Sequence, residues 1–255
     1  MTLRRVTFVL LVLYILLTIY EIVTLSLGIP LPGVFTPLTT LVGFSFALLH
    51  AGQREKWERA LRLLGLVFAV SLLFESVGVA TGLVYGPYHY TDKLGPLFLG
   101  LVPYLIPVAW FMMNYPSFVI ADWLIPSGWK RWQRILSVAA VGGLVMTAWD
   151  LVMDPVMVAS GNWVWDTNGA YFGVPLQNFW GWWLTVFTTF ALYLLISGKH
   201  DRLVNAGFDR WALVSYLVTA LGIVLVSSVT GAGALSLIGF FAMLPWAIAG
   251  ALKMA

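Results

Sequence analysis

The stretch AWDLVMDPVMVASGNWVWDTNGAYFGVPLQNFWGWW, residues 148–183, joins a long apolar run to acidic and aromatic side chains. Asp150 and Asp154 are four residues apart, so they share one face wherever the chain is helical. Pro155 follows directly, and we expect the helix to end near Asp154 because a residue before proline is disfavoured in the helical region. The negative end of the helix dipole would favour the protonated form of this carboxyl. The stretch therefore predicts an acid at a helix end. The structural alternatives are that Asp154 caps a loop and that Asp150 bonds to neighbouring helices.

The composition is typical of an integral membrane protein. Hydrophobic residues make up 60% of the 255 residues, charged residues make up 10%, and the mean hydropathy is +0.90. Thirteen tryptophans and ten tyrosines suit interfacial belts as well as a ligand pocket. The absence of cysteine excludes disulfides, thiolate nucleophiles and iron–sulfur clusters. The net charge of +3 does not indicate a nucleic-acid partner, because membrane topology explains the basic residues.

Apolar runs near the length of a membrane span predict an all-α, polytopic helical bundle in a single transmembrane domain, residues 1–255. We expect about eight transmembrane helices. The fourth run contains Pro103, Pro107 and Pro116, which predict a kinked or broken helix. In order, the predicted helices cover residues 6–27, 34–50, 61–83, 97–124, 134–153, 176–196, 211–229 and 235–252.

Basic residues divide unevenly between the two sides of this arrangement. Lys93 falls on one side, and the other thirteen fall on the opposite side. The positive-inside rule then predicts a protein of the cell membrane with both termini in the cytoplasm and with loops 84–96 and 155–175 outside. The thirteen are Arg4, Arg5, Arg54, Lys56, Arg59, Arg62, Lys130, Arg131, Arg134, Lys199, Arg202, Arg210 and Lys253.

Glu75 lies inside the third predicted helix, eight residues before Leu83. At the usual rise per residue it is roughly 12 Å from the helix end, too deep for its short side chain to reach water. No lysine or arginine is available at that depth, so we expect a carboxyl group that pairs with uncharged polar groups or another acid. The structural alternative is a neutral glutamate that joins helices by hydrogen bonds.

Several membrane chemistries lack the residues that they require. Three scattered histidines, His50, His89 and His200, are too few for a di-iron oxygenase, and no metal site is predicted. No lysine in a helix core offers a Schiff base, and no glycine-rich turn follows a strand to hold a nucleotide cofactor. The spacing of Asp150 and Asp154 is similar to diphosphate-binding motifs of intramembrane prenyltransferases. Those sites need further aspartates and basic residues that this side of the chain lacks.

Several short blocks of glycine, proline, aromatic and acidic residues occur over about residues 70–185. They are Glu75-x-x-Gly78-x-x-Thr81-Gly82, Tyr85-Gly86-x-Tyr88-x-Tyr90, Leu94-Gly95, Val102-Pro103, Pro107-x-x-Trp110, Asp150-x-x-Met153-Asp154-Pro155, Trp163-x-Trp165, Gly169-x-Tyr171-x-Gly173-Val174-Pro175 and Asn178-Phe179-x-Gly181-Trp182. In combination these blocks resemble the CruF-type carotenoid hydratases. The resemblance implies an activity that adds water to the terminal C1=C2 double bond of an acyclic carotenoid end group and gives a tertiary alcohol.

The implied reaction needs an acid to protonate C2, a base to activate water for attack on the C1 cation, and a dry pocket. It needs no cofactor. Aromatic faces would stabilise the cation by about 2 kcal/mol or more per well-placed ring in a desolvated site. The candidate catalytic residues are Glu75, Asp150 and Asp154; the candidate cation-binding residues are Tyr88, Tyr90, Trp163 and Trp165; and Gln177 and Asn178 are candidates to position the water.

A proton-coupled carrier, or a carotenoid-binding membrane protein without catalysis, is the alternative. It would use the same buried acids as a proton relay. A carrier needs a polar path to both membrane faces, whereas predicted helices one, two, seven and eight are nearly free of polar residues. This favours an enzyme whose partners are a lipophilic carotenoid and membrane lipid, and the sequence predicts no oligomeric state.

Overall fold

Eight long helices form a bundle in the computed structural model, which describes residues 2–198 and 205–255. This confirms the predicted all-α polytopic architecture. Lys199, His200 and Arg202, which the sequence analysis considered, lie outside the described residues. The helices are α1 (Leu3–Ser26), α2 (Phe35–Glu55), α3 (Trp57–Thr81), α4 (Leu105–Leu124), α5 (Arg131–Ala159), α6 (Leu176–Ile196), α7 (Ala206–Val229) and α8 (Gly233–Met254); the short strands are β1 (Tyr88–Tyr90), β2 (Leu97–Phe98), β3 (Val102–Pro103) and β4 (Trp163–Trp165).

Seven of the helices, all except α4, are long and apolar enough to cross a membrane. The protein is therefore a multi-pass membrane protein. Helix α4 packs against α2, α3, α5, α7 and α8, and most of its residues are buried. Because its neighbours shield it from lipid, α4 can carry buried polar side chains such as Asn114 and Asp122.

Helix α5 continues through Pro155 to Ala159, so the prediction that it ends near Asp154 is wrong. A proline inside a helix has no N–H for the carbonyl four residues earlier, which here belongs to Leu151. The Tyr171 hydroxyl donates a hydrogen bond to that carbonyl oxygen at 2.8 Å. A side chain from the following loop thus replaces the missing backbone bond. Asp150 and Asp154 consequently lie one turn apart within a continuous helix.

The fourth predicted helix is broken at its start, as its prolines indicated. Strands β2 and β3 pair antiparallel within residues 97–103 and place Leu99, with φ 50°, and Gly100, with φ 72°, in the connecting turn. Helix α4 begins only at Leu105, and Pro107 lies in its first turn, where backbone N–H groups lack helical partners anyway. Pro116 remains inside the helix.

The loop after α3 folds back between helices because two glycines make room for Tyr85. A Cβ atom on Gly78 of α3 would lie 2.8 Å from the Tyr85 ring, and one on Gly181 of α6 would lie 2.6 Å from it. The Tyr85 hydroxyl also shares a hydrogen bond of 2.8 Å with the Thr185 hydroxyl. This buried ring anchors the chain so that β1, three residues further on, lies over the end of α3.

A buried group of charged side chains closes the side of the bundle that carries most of the basic residues, which we call the basic side. Helices α2 and α7 extend further than predicted and include Arg54, Glu55 and Asp209. Arg54 pairs with Glu55, contacts Asp122 at 2.7 Å and lies 3.1 Å from Asp209. Arg134 also pairs with Asp122. The predicted bounds 34–50 and 211–229 were too short at these ends, which carry charges that mutual ion pairing permits to be buried.

Candidate active site

Strands β1 and β4 form a two-stranded ribbon on the side of the bundle opposite the basic side. They pair antiparallel, with Tyr88 opposite Trp165 and Tyr90 opposite Trp163. Alternate residues of a strand point to the same face, so these four rings share one face of the ribbon. The ring centroids of Tyr88 and Trp165 are 5.0 Å apart, and those of Tyr90 and Trp163 are 5.8 Å apart. Two distant sequence blocks thereby become one aromatic surface.

Strand β1 supplies two hydrogen-bond donors to Glu75, which is buried near the end of α3. Glu75 Oε2 accepts from the hydroxyls of Tyr88 and of Tyr90, the latter at 2.8 Å. Its Oε1 accepts from Trp110 Nε1 of α4 at 3.0 Å. Burial and the adjacent Glu75 carboxyl raise the pKa of the Tyr88 and Tyr90 hydroxyls well above the usual range, so both remain protonated donors.

Strand β4 likewise supplies two hydrogen-bond donors to Asp154 of α5. Asp154 Oδ1 accepts hydrogen bonds from Trp163 Nε1 at 3.1 Å and from Trp165 Nε1 at 3.0 Å. Its Oδ2 accepts from Asn178 Nδ2 of α6 at 2.9 Å. Each strand of the ribbon therefore holds one buried carboxyl group, and each carboxyl receives a third donor from a helix.

Asp150 lies next to Asp154 and shares its amide donor. Asn178 Nδ2 is 2.8 Å from Asp150 Oδ2, so one side-chain amide bridges the two aspartates. Among the residues that the structure describes, none donates a hydrogen bond to the buried Asp150 Oδ1. Asp150 thus has one donor, whereas Asp154 and Glu75 have three each.

Glu75, Asp154 and Asn178 face one cavity whose volume, including its mouth, is about 740 Å³. Asp150 is not part of the lining. Stacked indoles form one wall: Trp110 and Trp182 have ring centroids 4.1 Å apart, and Trp149 packs edge-on against Trp182 at 5.8 Å. The remaining lining residues are Thr36, Thr40, Tyr85, Tyr88, Tyr90, Leu94, Leu105, Ile106, Ala109, Met112, Met153, Met157, Trp163 and Trp165.

The candidate residues from the sequence do not all reach this cavity. Tyr88, Tyr90, Trp163 and Trp165 line it, but their polar atoms are bonded to the two acids. Gln177 is exposed, and its Nε2 donates to the backbone carbonyls of Gly82, at 3.2 Å, and of Leu83. It joins the start of α6 to the end of α3 and is not part of the lining.

Sequence reasoning missed the indole wall and the direct bond from Trp110 to Glu75. Trp110 and Trp182 stood in the family blocks, but tryptophans near helix ends are also what an interfacial belt predicts. His89 points to the outer face of the ribbon, with Nδ1 2.8 Å from Asp166 Oδ1. Within residues 2–198 and 205–255, no three histidine, aspartate or glutamate side chains come together in a metal-binding group.

The fold and the site define a polytopic membrane protein with a carboxylate-bearing aromatic pocket. Residues 35–246 match the family model described as "Carotenoid biosynthesis protein", and the chain belongs to this family. It is 36% identical over 141 residues to the bisanhydrobacterioruberin hydratase of Haloarcula japonica. The match covers 54% of this chain and 42% of that protein, so it spans about two fifths of the relative's length. Together these matches confirm the resemblance to CruF-type carotenoid hydratases. No solved structure matches the chain.

Proposed function

We propose that the protein is a carotenoid hydratase that adds water across the terminal C1=C2 double bond of an acyclic carotenoid end group. The observation that carries this proposal is the pair of buried carboxyls, Glu75 and Asp154, that face one aromatic cavity. Membership of the carotenoid biosynthesis family and similarity to a named hydratase support it. The product would be a tertiary alcohol.

The reaction balances with the groups that line the cavity and one water molecule. A carboxylic acid transfers its proton to C2, and the alkene's electron pair forms the new C–H bond, which leaves a tertiary cation at C1. The oxygen of water then bonds to C1 while a carboxylate takes up the released proton. Proton exchange with solvent returns both carboxyl groups to their starting states. No oxidant or reductant is consumed.

We assign the proton donor to the aspartate pair and the proton acceptor to Glu75. Asp150 and Asp154 share the Asn178 amide, and no arginine or lysine among the described residues contacts either one. Two adjacent buried carboxyls tend to hold one proton between them, since like charges at this distance disfavour double ionisation. Asp154 presents this proton to the cavity, and Asp150, behind it, is a positioning residue. Glu75 then activates the water.

The aromatic lining suits a cationic intermediate. The indole N–H groups of Trp163 and Trp165 and the hydroxyls of Tyr88 and Tyr90 bind the acids through the ring edges, and the same four rings line the cavity. The electron-rich face of a ring attracts a cation by about 2 kcal/mol or more in a water-poor site.

A conversion assay tests the proposal. Purified protein in lipid is supplied with an acyclic carotenoid such as lycopene and no cofactor, and the product is identified by its gain of one water molecule. We expect E75Q and D154N to lose turnover by about 10²-fold or more, as expected for general acid–base groups. The control Q177A changes a residue outside the cavity and should keep activity. Wild-type turnover in both acid variants, or tight carotenoid binding without any conversion, would contradict the proposal.

A further inference from the structure

The cavity extends past the acids along an apolar groove between α2 and α4. Six of the lining residues form this part, which we call the α2–α4 groove. None of them is ionisable. They are Thr36, Thr40, Leu105, Ile106, Ala109 and Met112.

Met112 of α4 packs over Gly43 of α2 and closes the end of the groove that lies deeper in the bundle. A Cβ atom on Gly43 of α2 would lie 2.7 Å from Met112 Sδ and 3.2 Å from the Tyr14 ring of α1. The thioether therefore fills the space that a larger residue at position 43 would occupy. Because methionine is flexible and unbranched, it is suited to a floor that adapts to an apolar ligand.

The other end of the groove reaches the surface of the bundle. Thr36 is exposed, and Ile106 and Ala109 are only half-buried. Helix α2 is one of the membrane-spanning helices, so a mouth beside Thr36, between α2 and α4, lies against the lipid that surrounds this helix. Leu41, which is 49% exposed, is turned about 140° around α2 from Thr36 and lies on a lipid-facing surface outside the groove.

We propose that the α2–α4 groove holds the acyclic polyene chain of the substrate and is the lateral portal through which the chain enters from lipid. This inference rests on the proposed function, which places only the terminal alkene against the acids. The rest of the molecule is a long apolar chain that needs an apolar route out of the bundle. A groove without charged groups, open to lipid at Thr36 and floored by Met112, fits that chain.

The natural absence of cysteine allows the groove to be blocked after folding. In A109C the new thiol lies in the groove, and in the control L41C it lies on the lipid-facing surface of α2. Both purified proteins are treated with benzyl methanethiosulfonate, and lycopene binding is measured by quenching of tryptophan fluorescence. I106C offers a second position in the groove should A109C fold poorly.

We expect the benzyl group on A109C to weaken lycopene binding by about tenfold or more, because it overfills the groove. Reduction of the mixed disulfide should restore binding, and benzylated L41C should bind as the wild type does. Bound lycopene should also slow benzylation of A109C but not of L41C. The portal proposal would be overturned if benzylated A109C and I106C bound lycopene as the wild type does, or if benzylated L41C lost as much binding as benzylated A109C. If benzylation of A109C blocks lycopene binding but the wild-type protein hydrates no carotenoid, the groove is confirmed as a polyene-binding site and the proposed hydratase function is refuted.

Discussion

Glu75 and Asp154 occupy similar surroundings, yet their neighbours differ in one respect. Asp154 has a second carboxyl, Asp150, on the same Asn178 amide, whereas the described donors to Glu75 are two hydroxyls and an indole. This difference is the basis for assigning the proton donor to the aspartates. If the aspartates donate the proton and Glu75 accepts it, isotope exchange can distinguish the two roles.

We predict that E75Q still protonates C2 and that D154N does not. In deuterium oxide, E75Q should deliver a deuteron to C2 and form the cation, which then loses the other C2 hydrogen or a hydrogen from a methyl group on C1 and gives an alkene that keeps the deuterium without hydration. D154N should give neither deuterium nor alcohol. Mass spectrometry of the recovered substrate measures both outcomes, and Q177A, which we expect to retain activity, serves as the control. Deuterium in the substrate from D154N but not from E75Q would reverse the assignment.

All three acids that the sequence analysis selected are buried, but the sequence did not indicate which of them faces the cavity. The spacing of Asp150 and Asp154 places them on one helix face, but a step of four residues still rotates a side chain by about 40°. That rotation separates Asp154, in the lining, from Asp150 behind it. Gln177 and Asn178 likewise differ in orientation by one helical step, and only Asn178 turns inward. Such differences depend on how helices are rotated in the bundle, which a local pattern does not specify.

Helix α5 and the β1–β4 ribbon show which features of secondary structure the sequence did not predict. Apolar length and loop charges predicted all eight helices, since these are local properties. The ribbon was not predicted, because β1 and β4 are three-residue strands whose pairing joins remote parts of the chain. The continuation of α5 past Pro155 depends equally on a remote partner, the Tyr171 hydroxyl.

Loss of that hydroxyl should destabilise the protein only while Pro155 is present. Burial raises the pKa of Tyr171 to about 12, so the hydroxyl donates throughout the neutral range. Y171F leaves the Leu151 carbonyl without a donor and should cost about 1–3 kcal/mol. In a P155A background the new backbone N–H can bond to Leu151, and Y171F should then cost much less. Thermal unfolding in detergent measures both steps, and an equal loss in the two backgrounds would show that the hydroxyl acts elsewhere.

The molecule has two kinds of buried polar group, and they lie at opposite ends of the helix bundle. The uncharged donors of the ribbon hold carboxyls on one side, and the ion pairs around Arg54 join α2, α4 and α7 on the basic side. The sequence did not reveal the second group, because Arg54 and Glu55 stand in a charged segment that resembles a solvated loop. Their burial follows from helix packing.

R54M should destabilise the fold far more than a matched exposed change. Arg54 is buried against Asp122 and Asp209, and removing one partner of a buried ion pair typically costs about 3–5 kcal/mol. Arg62 pairs with Glu58 on the surface, so R62M should cost about 1 kcal/mol or less. Unfolding temperatures of the two variants in the same detergent test this. Equal stability of R54M and R62M would mean that the buried group does not hold the helices together.

The thirteen-to-one division of basic residues predicts how the bundle is oriented in the membrane. We predict both termini in the cytoplasm and the ribbon on the outer side. Thr167 and Ser127 are exposed on loops at opposite ends of α5. In intact cells T167C should react with a membrane-impermeant maleimide, and S127C should react only after permeabilisation. The reverse pattern would invert the topology and place the candidate active site on the cytoplasmic side.

The source of the new oxygen atom tests the central claim most directly. Purified protein is incubated anaerobically with an acyclic carotenoid in oxygen-18 water, and the alcohol is analysed by mass spectrometry. Protonation at C2 followed by water capture at C1 has one oxygen source, so each new hydroxyl should carry the heavy isotope. Alcohol that forms only in air, with its oxygen taken from molecular oxygen, would contradict hydration by Glu75 and the aspartate pair.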